Sequence, residues 1–167
     1  LTKVEKDRIV VLLISFLLVI LFWGAFEQAG GLMNIYTMEK TNRMIGDWMV
    51  PASWFQSINA MFIIFFGSSV AAYWASRKLK GKTSSSLFKM IIGLIIMGTG
   101  FFFMTAATAQ YESTGSSAMY WLVLAYLFHT IGELCLSPVA LSYITKLAPV
   151  KYASIMMGVY FAMTGFG

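Results

Sequence analysis

IVVLLISFLLVILFWGAF, residues 9–26, runs without a charge between Arg8 and Glu27. A helix needs roughly 20 predominantly apolar residues to cross a bilayer, and this stretch supplies them. The pattern then returns along the chain. Residues 48–76 are uncharged between Asp47 and Arg77, and residues 90–111 are uncharged between Lys89 and Glu112. Residues 113–145 hold a single charge, Glu133, and residues 152–167 follow Lys151 without one. The run lengths, and the lack of period-two alternation, predict helices rather than barrel strands. They are placed near 9–30, 52–76, 88–109, 118–146 and 153–167. The fold class that follows is an all-α membrane protein.

Composition agrees. Of 167 residues, 59% are apolar and 11% charged, against about half and about a quarter in soluble domains. The mean hydropathy is +0.75. A soluble enzyme, a disordered tail and a nucleic-acid binder are excluded. The net charge is +5, but its distribution says more than its size. Cys135 is the one cysteine, which excludes an internal disulfide and a cysteine-rich metal site. The sequence shows no Ser/His/Asp order, metal-ligand spacing, phosphate loop or dinucleotide fingerprint, so no enzyme, metal or cofactor is expected. The first apolar run lacks the flanks of a signal peptide. The chain starts at Leu1 and ends at Gly167 inside an apolar run, so it is expected to be a piece of a longer membrane protein.

Basic residues set the orientation. Lys3, Lys6 and Arg8 precede the first span, and Lys40 and Arg43 follow it. Arg77, Lys78, Lys80, Lys82 and Lys89 follow the second span, none follows the third, and Lys146 and Lys151 follow the fourth. The positive-inside rule therefore puts the N-terminal flank and the loops 77–89 and 146–151 in the cytoplasm. Trp48, Trp54, Tyr111, Tyr120 and Trp121 gather at the outer ends, and Tyr73, Trp74 and Tyr152 at the inner ends, where amphipathic rings prefer to sit. Gly67, Ala71 and Ala75 recur every fourth residue and predict a ridge for close helix packing. The third helix carries no ionisable side chain or amide across 90–109 and is expected to be a lipid-facing support. Its glycines, Gly93, Gly98 and Gly100, are ordinary for a membrane helix.

Two acids sit where acids are expensive: Glu27 at the end of the first span and Glu133 near the middle of the fourth. Insertion of a carboxylate at the bilayer centre costs about 2.5–3.5 kcal/mol, so such residues face protein or a wet cavity and mark ion or substrate paths. The bland alternative is a packing ion pair, but every Lys and Arg of this chain lies at or beyond the ends of the spans. His129 is four residues before Glu133 and shares its helix face. It either relays or tunes a proton or simply hydrogen-bonds a neighbour. Ser137 lies four residues after Glu133 and extends the polar line, and Pro138 after it removes a backbone donor. Gln56 and Asn59, three apart, share a face of the second helix and need partners, either on a neighbouring helix or in a polar ligand.

Three stretches carry a resemblance. They are Phe22-Trp23-Gly24-Ala25-Phe26-Glu27-Gln28, then Trp54-Phe55-Gln56-Ser57-Ile58-Asn59, then Gly132-Glu133-Leu134-Cys135-Leu136-Ser137-Pro138. In order and spacing they resemble the seventh, eighth and tenth helices of the proton-dependent oligopeptide transporters of the major facilitator superfamily. Met156-Met157-Gly158-Val159-Tyr160-Phe161 resembles the start of the eleventh, with Tyr160 where a tryptophan is common. The third helix of this chain would match the peripheral ninth.

The resemblance implies a twelve-helix parent of which this chain is most of the C-terminal six-helix bundle. It implies import of di- and tripeptides with protons by alternating access, in a bacterial inner membrane. The short segment near 110–117, where animal members carry a large domain, agrees with a bacterial source. Glu133 would then attract the peptide α-ammonium and Asn59 the peptide backbone, with Ser137 and Tyr160 lining the same pocket. Glu27 would couple the proton, paired with an arginine of the missing N-terminal bundle, and His129 would assist. The alternatives are a proton-coupled transporter of nitrate, sugar or drugs, and a non-transporting membrane subunit whose acids form assembly ion pairs.

Overall fold

The computed structural model describes residues 2–167. Helix α1 spans Lys3–Phe26. Thr2 caps it, its hydroxyl accepting from the Glu5 N–H while the Glu5 carboxylate accepts from the Thr2 N–H at 2.7 Å. That backbone N–H, with the Thr2 hydroxyl, holds the exposed Glu5 carboxyl below the usual carboxylate range. The remaining helices are α2 (Leu32–Lys40), α3 (Ala52–Leu79), α4 (Ser86–Thr114), α5 (Met119–Leu147) and α6 (Ala153–Phe166). Helices α1, α3, α4 and α5 each offer a window long and apolar enough to cross a membrane.

The first span differs from its expected form. It does not give way to an irregular loop after residue 30. A 3-10 turn, Glu27–Ala29, and the pair Gly30-Gly31 bend the chain, and α2 continues it to Lys40. The short polar helix is held by its contacts. Met33 and Thr37, one turn apart, are buried, and the Tyr36 hydroxyl donates to Ser117 Oγ at 3.0 Å. The Lys40 ammonium lies 5.2 Å from the centre of the Tyr111 ring and 5.9 Å from that of Tyr36, within cation–π range.

Beyond α2, strand β1 (Thr41–Asn42) pairs in parallel with β4 (Ser117–Ala118), and β2 (Met44–Ile45) forms a hairpin with β3 (Trp48–Met49). Gly46 takes the positive φ of 61° that the tight turn needs. Helix α4 runs to Thr114, past its expected end at 109, and stops at Gly115 in the left-handed region. Gln110 ties the α4–α5 junction, its amide oxygen accepting from the Ala118 N–H at 2.8 Å and the Trp121 indole at 2.9 Å.

Two apolar clusters fill the bundle. One joins Phe16, Val19 and Phe22 of α1 to Met90 and Met97 of α4, Leu136 and Ile144 of α5, and Tyr160 of α6. The other joins Met33, Val50, Phe55, Leu122 and Tyr126 under α2. Between membrane helices dispersion replaces the hydrophobic effect, so close approach matters most. It is close along the length of α4 and α5. A methyl placed on Gly132 would stand 2.6 Å from the Gly93 carbonyl oxygen, and one on Gly100 would stand 2.6 Å from Cδ2 of His129.

These glycines are therefore packing positions, and α4 is more than a featureless support. The ridge Gly67-Ala71-Ala75 behaves otherwise. Gly67 comes only within ordinary contact of Leu134, and Ala71 and Ala75 are exposed. Gly132→Ala is expected to destabilise the complete protein by about 1–3 kcal/mol, because backbone must move to admit one carbon. Gly98→Ala, with nothing within 4 Å, is the control. Equal unfolding temperatures for the two variants in detergent would show that the approach of α4 and α5 is not tight.

Candidate functional site

Asn59 on α3 and Glu133 on α5 are 74 residues apart in sequence and touch in space, the Asn59 amide donating to Glu133 Oε2 at 3.3 Å. The other end of the same amide is fixed as well. The Thr130 hydroxyl, one turn before Glu133, donates to Asn59 Oδ1 and also lies 2.8 Å from the Tyr126 carbonyl. An amide has one accepting and one donating end. With Thr130 on the accepting end, the donating end must face the carboxylate. Asn59 thus supplies one of the hydrogen bonds of a half-buried Glu133, and the Lys and Arg of this chain stand at or beyond the ends of the spans, away from its mid-helix position. The free lone pairs suit a cationic donor, such as an ammonium, from outside the chain.

Two hollows flank the 3-10 break, and Glu27, exposed on it, lines both. The smaller, about 180 Å³, is walled by Phe26, Gln56, Asn59, Tyr126 and His129. The Tyr126 hydroxyl donates to the Ala29 carbonyl at 3.4 Å, which ties α5 to the break. The larger, about 410 Å³, is walled by Trp23, Ser137, Leu141, Tyr160 and Phe161. Proline at 138 leaves α5 continuous through this region.

The structure therefore sets Glu27 on one hollow with Asn59 and His129, and on the other with Ser137 and Tyr160. Glu133 joins the first group through Asn59. His129 makes no hydrogen bond to Glu133 despite the four-residue spacing. It is 1% exposed, its ring packs 4.7 Å from Phe101 centroid to centroid, and neither ring nitrogen has a hydrogen-bond partner among the described residues. Thr130 is the residue that sequence reasoning missed. Its three-residue spacing to Glu133 was the available signal, but a threonine in a membrane helix usually bonds its own backbone.

Long apolar helices, with a carboxylate and an amide in contact between two of them, define part of a multi-pass membrane protein. The sequence profile of the POT family matches residues 2–167, and the chain belongs to that family. It is 37% identical over 168 residues to the peptide transporter YePEPT of Yersinia enterocolitica, covering 98% of this chain and 33% of that protein. It is 31% identical over 167 residues to a di-/tripeptide transporter of Lactococcus lactis subsp. cremoris, covering 95% of this chain and 33% of that protein. A crystal structure of a peptide transporter POT in complex with sulfate superposes with a TM-score of 0.86 at 30% identity, over 99% of this chain and 33% of that one. A POT family transporter in complex with a thioalcohol-conjugated peptide gives 0.83 at 29% identity, over 99% and 34%. The chain spans about a third of the length of the curated relatives it matches. The fold is that part of a major facilitator transporter.

Proposed function

We propose that the complete transporter imports di- and tripeptides with protons by alternating access, and that this chain supplies most of one of its two helix bundles. The observation that carries the proposal is Glu133, an intramembrane carboxylate held by a fixed amide, with the chain's Lys and Arg at or beyond the ends of the spans. A peptide brings the missing cation, its α-ammonium, and brings amides for Asn59 beside it. A nitrate or neutral sugar would leave Glu133 unpaired in a medium where charges interact strongly. The names of the peptide-transporting relatives support the same substrate class.

In this mechanism Glu133 holds the amine, and Asn59 positions the peptide backbone. Ser137 and Tyr160 line the adjoining wall. Glu27, between the two hollows, carries the coupled proton and pairs with an arginine of the other bundle, with His129 as its neighbour in the smaller hollow. Alternating access needs such a site at the seam of two bundles that rock around it. The membrane is a bacterial inner membrane, with the N-terminal flank and the loops 77–89 and 146–151 in the cytoplasm.

Proteoliposomes of the complete protein test the proposal. An inside-alkaline gradient should drive uptake of labelled dialanine, and a protonophore should abolish it. Gradient-independent uptake, or none by a folded preparation, would reject the mechanism. Thr130→Val is expected to weaken dialanine binding by about two- to tenfold, since it removes one neutral hydrogen bond that orients Asn59. Titration calorimetry reads this directly, and unchanged affinity would show that Asn59 needs no such orientation.

A further inference from the structure

Away from the Glu133 seam, helices α3, α4 and α5 leave an apolar trough of about 380 Å³, lined by Val70, Ile92, Ile96 and Ile131 among others. At one end lies a second hollow of about 280 Å³, walled by Lys78, Lys82 and Lys89. Trp74 and Arg77 line both. From Val70 to Arg77 is about 10 Å along the axis of α3, so an apolar channel gives way to a basic mouth over a short distance.

The acceptors in the mouth are neutral hydroxyls, Thr83 and Ser84 on its wall and Tyr73, which accepts from Arg77 Nη1 at 3.3 Å, and they leave two donors unused. Trp74 Nε1 and Arg77 Nε are buried and have no hydrogen-bond partner among the described residues. Both groups are donors only. The Lys89 ammonium lies 5.1 Å and the Arg77 guanidinium 5.9 Å from the centre of the Trp74 ring, so two cations converge on one indole. No Asp or Glu occurs between Asp47 and Glu112, so α3, the following loop and nearly all of α4 offer no counter-charge.

We propose that the trough and its mouth hold an anionic phospholipid. One acyl chain lies along the isoleucines, and the phosphate accepts from Trp74 and Arg77 within the field of Lys82 and Lys89. Basic pockets between membrane helices take anionic headgroups in this way. A free phosphate would satisfy the donors but leave the trough unfilled, and a zwitterionic lipid would fill the trough without offsetting the charge. The site is independent of the peptide-binding proposal.

The test uses the complete transporter in mild detergent, with phosphatidylglycerol or phosphatidylcholine carrying dibrominated acyl chains. Native mass spectrometry should show phosphatidylglycerol retained roughly tenfold better. The bromines should quench a tryptophan signal that Trp74→Phe removes. Arg77→Gln with Lys89→Gln should abolish the preference without lowering the unfolding temperature. Equal retention of the two lipids overturns the proposal. So does quenching that Trp74→Phe leaves intact, or displacement of phosphatidylglycerol by excess inorganic phosphate, which would mark an anion site alone. If the double variant fails to fold, the lipid comparison, Trp74→Phe quenching and phosphate competition still decide.

Discussion

Glu133→Gln is expected to weaken dialanine binding to the complete transporter by roughly 30- to 150-fold. Loss of a hydrogen-bonded charge partner costs about 2–3 kcal/mol, at the lower end of the range for buried pairs. Glutamine keeps the shape, and its amide oxygen can still accept from Asn59, whose other end stays on Thr130. The fold and the amide geometry should therefore survive, so the loss reads the charge. A second ligand makes the assignment specific. N-acetyl-dialanine lacks the ammonium, and wild type should bind it about as weakly as the variant does. Titration calorimetry on both proteins with both peptides completes the cycle. If wild type held the acetylated peptide as tightly as the free one, the amine would not sit on Glu133.

The spans were legible because charge at bilayer depth is costly, and the sequence excludes Lys and Arg from every long apolar run. Helix α2 was not legible. Its nine residues include Asn34, Glu39 and Lys40, and burial of Met33 and Thr37 against other elements holds it in place. The packing glycines escaped for a related reason. Gly93 on α4 and Gly132 on α5 gain meaning only when the two backbones meet, while the more regular Gly67-Ala71-Ala75 series leaves its alanines exposed.

In the site, Glu133 and Glu27 stood out as acids in apolar runs, and Asn59 as an amide in lipid. The contact between Asn59 and Glu133, and the part of Thr130 in aiming it, are tertiary facts that no local spacing encodes. His129 shares a helix face with Glu133 by spacing, but its ring packs on Phe101 and makes no hydrogen bond among the described residues. A shared helix face became two environments once α4 packed against the histidine at Gly100.

Glu27→Gln is expected to abolish concentrative uptake while leaving peptide exchange in place. Glu27 stands on the break between α1 and α2 and faces both hollows, so a change in its charge reaches Asn59 and His129 on one side and Ser137 and Tyr160 on the other. Glutamine fixes that position in a neutral form. The bundles can still rock around bound peptide, but the movement no longer carries a proton. For one proton per peptide, a gradient of two pH units supports accumulation of about 100-fold, since each unit is worth about 1.4 kcal/mol. Without coupling, peptide reaches equal concentrations on both sides, so the ratio falls to about one. Counterflow of labelled dialanine into liposomes preloaded with unlabelled dialanine needs no gradient and should continue. A variant dead in both assays would show that Glu27 holds the bundle or the peptide instead. One that still accumulates dialanine would move proton coupling to another group, with Glu133 next in line because it is the other carboxylate within the spans.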